Sequence, residues 1–192
     1  MGNAQSALAK KTEMARKTGS LSLRSLDLEK VPDERLLSIP NLRILDLSHN
    51  KIKALTTRLG TLKHLTALTL DHNKLRALPE GLCALTALET LSATHNALQS
   101  LPAALGSLTK LRKLSLEHNS LAALPGSIGG CRALSTLNVS HNALASLPPD
   151  IGQCTAMLAL DVSHNKLASP LPASLGGLSR RTPRGTRGQA AE

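Results

Sequence analysis

Histidine recurs along this chain at a fixed interval, and imidazole is the side chain that binds metal ions and changes charge near neutral pH. Stacked units would bring such rings to strand spacing, about 4.8 Å apart. A metal site needs ligands that converge on one point, which a straight column does not offer. We therefore expect an exposed structural column, no metal site, and destabilisation of the array when adjacent rings are protonated at low pH. Six histidines form the series: His49, His72, His95, His118, His141 and His164.

The amino terminus carries a pattern for lipid attachment. The chain opens MGNAQS, which fits the myristoylation signal M-G-x-x-x-S/T with Gly2 as the acceptor. One myristoyl chain binds membranes reversibly, with a constant of about 10⁴ M⁻¹, so a second signal is needed. Basic side chains supply it, since each contributes about 1 kcal/mol near an anionic leaflet. The predicted membrane contacts are Lys10, Lys11, Arg16 and Lys17.

Residues 1–18 are thus predicted to be a myristoylated basic leader, whose segment ALAKKTEMARK fits a short amphipathic helix lying on lipid headgroups. The alternative is a leader that is merely basic and solvated. With no apolar run of about 18 residues, nothing is expected to span a membrane. We expect a peripheral, lipid-anchored protein at the cytoplasmic face of a membrane, and partly in the cytosol.

No grouping of side chains suggests catalysis. A nucleophile–histidine triad, paired carboxylates and a phosphate-binding loop are all missing from the sequence, so we expect neither an enzyme nor a cofactor. Cys131 and Cys154 fall where other units carry leucine, which indicates core positions rather than nucleophiles. The odd count of cysteines, with no CxxC pair, favours a reducing compartment.

The elements that must position these residues follow from a repeat. Asparagine recurs every 23 residues from Asn50 to Asn165, within units that read L-x-x-L-x-L-x-x-N-x-L-x-x-L-P-x-x-L-x-x-L. This is the leucine-rich-repeat signature. Alternation around L-x-L predicts short parallel strands on a concave face, and the remainder predicts short helical or 3₁₀ turns on a convex face. The fold predicted is an α/β solenoid of about seven units, mostly of 23 residues.

The solenoid is predicted over residues 19–178. Residues 19–41 form a degenerate amino-terminal unit, because Leu26 stands where asparagine belongs. Residues 179–192 are predicted to be a basic disordered tail. No capping unit follows Leu178, which leaves a partner, a dimer contact or a truncated chain as open explanations. The asparagine amide is expected to bond backbone groups that the sharp turn leaves unpaired.

Three segments together carry a resemblance to a known family. The leader beginning MGN, the entry KTGSLSL at residues 17–23 and the repeat LRILDLSHNKI resemble the leucine-rich repeat-containing protein 57 family, which are small myristoylated intracellular proteins. The resemblance covers the leader and the repeats through about residue 178. Leu21 and Val31 stand where that family carries aromatic residues, and its longer carboxyl-terminal part has no counterpart here. The resemblance implies lipid anchoring and a binding role, without a defined ligand.

The concave positions are small and polar, and the chain contains no Phe, Tyr or Trp. Aromatic side chains and arginine dominate interface energies, so we expect a modest protein contact that gains strength from co-localisation on a membrane. Arg112 with Lys113 is the expected hot spot, the alternative being solvated charge. The predicted partner-binding residues are Arg43, Glu89, Arg112, Lys113 and Glu117.

The net charge of +10 is concentrated at the two ends of the chain. Without aromatic stacking platforms or a DNA-reading motif, no nucleic-acid partner is expected. A second basic group follows the asparagines of two adjacent repeats, and is read either as a membrane contact or as a solubilising rim. The leading interpretation is a membrane-associated protein-interaction module or scaffold; the alternative is a regulatory subunit for a signalling enzyme of a phosphatase or small-GTPase pathway. That second basic group is Lys51, Lys53, Lys74 and Arg76.

Overall fold

Seven short strands form one parallel sheet in the computed structural model, which describes residues 2–168 and 170–177, with side chains from residue 8 onward. The strands pair in chain order, and most register steps advance by 23 residues, as in the pairing of Leu45 with Leu68. This confirms the predicted solenoid. The strands are β1 Ser20–Ser22, β2 Ile44–Asp46, β3 Ala67–Thr69, β4 Thr90–Ser92, β5 Lys113–Ser115, β6 Thr136–Asn138 and β7 Ala159–Asp161.

The strands generally bury the central side chain and turn the flanking side chains to the concave surface, although Ser115 at the end of β5 is also buried. This is the alternation expected of a strand with one buried face. The central leucine of the last strand, Leu160, is only partly buried. In the other six strands the central leucine is buried: Leu21, Leu45, Leu68, Leu91, Leu114 and Leu137.

The convex side is built from 3₁₀ turns that return the chain to the next strand. Proline precedes several of them, as Pro79 and Pro125 do in an extended conformation, because its fixed φ suits the entry to a turn. Adjacent turns touch through backbone: a Cβ on Gly106 would overlap the carbonyl oxygen of Ser127. In the described part of the chain the 3₁₀ turns are Thr57–Thr61, Glu80–Ala84, Leu105–Ser107, Gly126–Gly130, Pro149–Gln153 and Ala173–Gly177.

An aliphatic core runs without interruption between the two sides, from Ala15 to Met157. No unit could bury its leucines alone, so every layer depends on the next. Cys131 and Cys154 are fully buried in this core, in agreement with the interpretation that they replace leucine. Val162, Leu167 and Leu175, in the last unit described, are partly buried. The predicted tail at residues 179–192 lies outside the described residues.

Helix α1, Gly2–Thr18, packs against β1 at the amino-terminal edge of the solenoid. It ends at Gly19, whose φ of +69° is a left-handed conformation that glycine adopts without strain. The Gly19 carbonyl accepts hydrogen bonds from the amides of Arg43 (2.7 Å) and Ile44 (3.0 Å), which joins the helix end to the sheet. A short helix α2, Asp33–Leu37, follows β1 and buries Leu36. Both helices belong to the amino-terminal end of the core.

The asparagine side chains tie successive turns together, as predicted. The Asn96 amide nitrogen donates to the carbonyls of Ala93 (3.3 Å) and Thr94 (3.1 Å) in its own turn and to Leu70 (3.0 Å) in the preceding unit. Its oxygen accepts from the Leu75 amide at 3.0 Å. One side chain therefore satisfies backbone groups of two units. The same pattern recurs at Asn50, Asn73, Asn119, Asn142 and Asn165.

Replacing one asparagine should destabilise the array. Asn96→Leu leaves the Leu75 amide and three carbonyls without this partner, so the free energy of unfolding should fall by about 1–3 kcal/mol. Urea denaturation followed by far-ultraviolet circular dichroism measures the change. Gln99→Leu is the matched control, because Gln99 is exposed three residues further along the chain. Equal midpoints for the two variants would contradict this role of the asparagine.

Candidate functional site

Three of the predicted partner-binding residues lie together at the amino-terminal ends of two adjacent strands. Glu89 immediately precedes β4 and is level with Arg112, which immediately precedes β5, and Lys113 is the first residue of β5. The Arg112 Nε lies 3.7 Å from Glu89 Oε2, in a pair whose side chains are 71% and 48% exposed. A pair this exposed contributes little to folding stability and keeps its donors accessible. Lys113 is also exposed and forms no ion pair with a described residue.

The other two predicted residues lie apart from this cluster. Arg43 precedes β2 and is exposed, with Thr66 between it and Glu89 across the sheet. Glu117 follows β5 near the histidine column. Its Oε2 is buried and has no hydrogen-bond partner among the described residues. The structure thus brings Glu89, Arg112 and Lys113 together and leaves Arg43 and Glu117 at separate positions of the concave face.

Two exposed aliphatic side chains on the concave side were not among the predicted contact residues. Ile44 in β2 is 47% exposed and Leu158, just before β7, is 49% exposed. Ile44 shares its column with Lys113, and Leu158 shares its column with Arg112. The sequence signal was present, because most other units carry polar or small residues at these two positions. The face therefore presents a charged centre between two apolar side chains.

Polar residues at the carboxyl-terminal ends of the strands bond to one another. Asp46 Oδ1 accepts hydrogen bonds from the Ser48 amide (2.9 Å) and hydroxyl (2.6 Å), and Asp161 bonds Ser163 in the same way. Asp71 Oδ1 instead accepts from the next unit, at the Ser92 hydroxyl. These side chains are held in place by the solenoid itself, so this end of the concave face is preorganised.

The basic leader divides into two kinds of residue. Lys11 Nζ donates to the Ser22 carbonyl at 2.9 Å, and Arg16 bonds Ser38 Oγ at 3.1 Å and Glu13 at 3.3 Å. Lys10 and Lys17 are exposed, and no hydrogen bond or ion pair joins either to another described residue. The four residues predicted as membrane contacts are therefore not equivalent. The prediction of a helix is confirmed, and the apolar side of this helix packs against the solenoid. Contact between the helix and lipid headgroups stays a prediction.

The second basic group is also partly engaged. Lys51 Nζ lies 2.9 Å from Asp27 Oδ1, and this hydrogen bond and the adjacent carboxylate raise the pKa of Lys51 above its ordinary value. Lys53 lines an open cleft of about 410 Å³, together with Lys30, Asp33 and other residues of the amino-terminal units. Lys74 and Arg76 are exposed. Lys51 is paired, whereas Lys53, Lys74 and Arg76 form no ion pair with another described residue, so the group combines neutralised and free positive charge.

The six histidines form a continuous stack along one rim. Ring centroids of successive histidines lie 4.1–4.3 Å apart with interplanar angles of 8–23°. This is closer than the predicted strand spacing of about 4.8 Å, and the rings are stacked face to face. Each histidine also has a positive φ, between 51° and 57°, which turns the chain sharply ahead of the ladder asparagine. No group of three or more histidine, cysteine or acidic side chains among the described residues could hold a metal ion.

Two rings in the stack, His95 and His141, have a pKa that their surroundings lower. Desolvation lowers the pKa of His95, and the adjacent His72 and His118 lower it further, whereas Glu117 and Asp71 raise it. Desolvation likewise lowers the pKa of His141, followed by His164 and His118, whereas Asp161 raises it. A charge on a neighbouring ring therefore disfavours protonation of His95 and of His141.

The cysteine thiols are poor candidates for reactivity. Burial raises the pKa of Cys131 to about 12 and that of Cys154 to about 11. Their sulfurs lie 3.4 Å and 3.3 Å from backbone carbonyls inside the core. Cys83 is also buried, and its pKa is raised to about 11, first by burial and then by Glu80.

Among the helices that the structure describes, none has the length and apolar character to cross a membrane.

The histidine stack should make stability depend on pH. The folded-state pKa of His95 and His141 lies below the ordinary value of 6.5, so the unfolded chain binds more protons just below that pH. The free energy of unfolding should then decrease as the pH falls below about 6.5. The melting temperature at pH 5.5 should be lower than at pH 7.5. His95→Asn with His141→Asn should reduce this difference, because it removes the two imidazoles whose pKa is lowered in the folded state. Asparagine tolerates positive φ, so the backbone of the turn should be retained. An equal melting temperature at both pH values would contradict the effect.

Comparison with solved structures places the fold among repeat proteins. A leucine-rich-repeat protein of Leptospira interrogans superposes with a TM-score of 0.69 at 24% identity, over 88% of this chain and 56% of that one. The ectodomain of the Arabidopsis thaliana receptor kinase GASSHO1/SCHENGEN3, solved with CASPARIAN STRIP INTEGRITY FACTOR 2, gives 0.71 at 28%, over 78% and 18%. The plant peptide hormone receptor RGFR1, solved with RGF2, gives 0.73 at 28%, over 83% and 30%. The chain spans less than two thirds of each of these proteins.

No match to a curated protein sequence was found. The sequence profile described as "Leucine rich repeat" matches residues 16–75, 63–121 and 109–167, which together cover most of the chain. The matched span includes all seven described strands and the asparagine ladder. This chain therefore belongs to the leucine-rich repeat family.

Proposed function

We propose that the chain is a protein-interaction module that binds its partner on the concave face while a lipid-anchored leader holds it at the cytoplasmic face of a membrane. The observation that carries the binding role is the exposed cluster of Glu89, Arg112 and Lys113 on adjacent strands, on the same face as Ile44 and Leu158. Charged donors between two apolar side chains are a usual composition for a protein contact. The proposed role is binding, without chemistry on the partner.

Two of the similar solved structures support a binding role, because they are complexes. Two of the plant receptors that share the fold were solved in complex with the factors named in their titles. We infer that this chain uses the same kind of surface. Its concave face offers fewer kinds of side-chain contact, because the sequence contains no aromatic residue. Arginine is then the residue type most suited to a hot spot.

Attachment to a membrane would compensate for a weak contact with the partner. A face without aromatic anchors gives modest affinity, and confinement of both partners to one membrane raises their effective concentration. The support is the myristoylation pattern at Gly2 and the basic leader that follows it. A reversible anchor also allows the module to leave the membrane, because a single myristoyl chain binds only marginally.

Charge reversal on the concave face tests the binding role. Arg112→Glu with Lys113→Glu should remove the proteins that co-purify with the wild-type chain from cells, because the reversed charges repel a partner that the wild type attracts. Lys110→Glu with Arg132→Glu changes the charge equally at exposed positions outside the strands, and should retain them. Quantitative mass spectrometry of the captured proteins measures both. Identical sets from the two variants would contradict the proposed surface, and a recurrent enzyme lost only from the first would make the chain a regulatory subunit.

Removal of the acceptor glycine tests the anchor. Gly2→Ala blocks myristoylation and should move the protein from the membrane pellet to the soluble fraction of a cell lysate. The substitution should not disturb α1, since alanine is the better helix former. Metabolic labelling with a myristate analogue shows acylation directly. A variant that still sediments as the wild type does would contradict the anchor.

A further inference from the structure

The apolar side of α1 is already in use. Leu8, Thr12 and Ala15 follow one another at helical spacing, so they share one face of the helix. Ala15 is fully buried, Thr12 is 6% exposed, and Leu8 packs against the core. This face covers the edge of the sheet at Leu21 and Leu23, both buried. Lifting the helix off would expose that edge to water, so α1 is expected to stay docked when the protein binds a membrane.

Two basic residues hold the helix at its flanks. Lys11 reaches the Ser22 carbonyl on one side, at 2.9 Å, and Arg16 reaches Ser38 Oγ on the other, at 3.1 Å. At 100° per residue these positions lie about 60° and 80° to either side of the buried face. The charged groups of Lys11 and Arg16 therefore point toward the solenoid, to which both are hydrogen-bonded.

The opposite face of α1 points away from the sheet and carries Lys10, Met14 and Lys17. Both lysines are exposed, and Met14 is 61% exposed, more than Ile44, Leu158 or Leu171, the other exposed large apolar side chains in the described part of the chain. The acidic Glu13 on this side is neutralised by Arg16, at 3.3 Å. An apolar side chain between two ammonium groups suits the boundary between lipid headgroups and acyl chains.

We propose that the Lys10–Met14–Lys17 face of the docked helix rests on an anionic bilayer, so that the solenoid stands end-on with β1 nearest the membrane. The proposal rests on the anchor at Gly2, which begins the same helix. Because α1 covers the β1 edge, its outer face is directed along the stacking axis and away from β7. Six strand steps of about 4.8 Å then carry β7 roughly 29 Å further from the bilayer.

This orientation has a consequence for the partner. The concave face runs perpendicular to the bilayer and is not blocked by lipid at any strand. The Glu89–Arg112–Lys113 cluster, at β4 and β5, stands three to four strand steps above β1, or roughly 14–19 Å. A partner that is itself held at the membrane can reach this height with a short segment.

The test uses the full, myristoylated chain and sedimentation with vesicles of phosphatidylcholine, with and without phosphatidylserine. Wild type should prefer the vesicles that contain phosphatidylserine. Lys10→Glu with Lys17→Glu should weaken that binding by about 25-fold or more, since each basic residue contributes roughly fivefold. Lys110→Glu with Arg132→Glu, the matched control, should bind as wild type does. Met14→Gln should weaken binding to both kinds of vesicle.

Gly2→Ala, measured beside these variants, separates the two proposals. Loss of binding in Gly2→Ala with full binding in Lys10→Glu/Lys17→Glu would overturn the end-on contact and leave the anchor intact. Full binding in Gly2→Ala would instead overturn the anchor. Equal binding of wild type to both vesicles would overturn the contact and assign this face to an acidic protein.

Hydrogen exchange shows whether α1 stays docked. On vesicles that contain phosphatidylserine, the amides of residues 8–18 and of β1 should keep their protection, because the outer face alone meets the lipid. A rise in exchange of both segments on binding would mean that the helix leaves the sheet, and would overturn the proposed orientation. Thermal melting of the lysine variants should match wild type, since both positions are exposed.

Discussion

The hydrogen bonds of the asparagine side chains are the interaction on which the rest of this solenoid depends. Each strand from β2 to β7 is followed by a sharp turn that begins with a histidine at positive φ, and such a turn cannot pair its own backbone groups. The asparagine amide satisfies them and reaches the preceding unit as well. Units thereby stack at a constant register, and that register places the leucines in one core and the charged residues on one face.

The composition of the core, which is mostly leucine with some isoleucine, valine, alanine, cysteine and methionine, limits what the surface can vary. Identical layers demand identical shapes, so the variation between units is confined to the concave positions and the rims. There the side chains are small, and binding must come from a few charges and from Ile44 and Leu158. Confinement to a membrane would therefore complement this face, because a high effective concentration of the partner compensates for a low affinity.

The repeat period was sufficient to predict the strands, the convex turns and the asparagine bonds, because each of these is decided within one unit and its neighbour. The placement of the leader was not. The spacing of Leu8, Thr12 and Ala15 predicts an amphipathic helix, but the same spacing serves a lipid surface and a sheet edge equally well. Only the structure shows that Lys11 and Arg16 bond to the solenoid. Ile44 and Leu158 occupy positions that the repeat assigns to the concave face, but only the structure shows that about half of each side chain is exposed there.

The histidine stack has one further consequence, for how the molecule takes up protons. His95 and His141 each stand between two other rings of the stack, and both have His118 as a neighbour. A charge on His118 lowers the pKa of both, so the two rings are coupled through a residue that lies between them. Replacing His118 would therefore change proton binding at two rings at once, one on each side of the substitution.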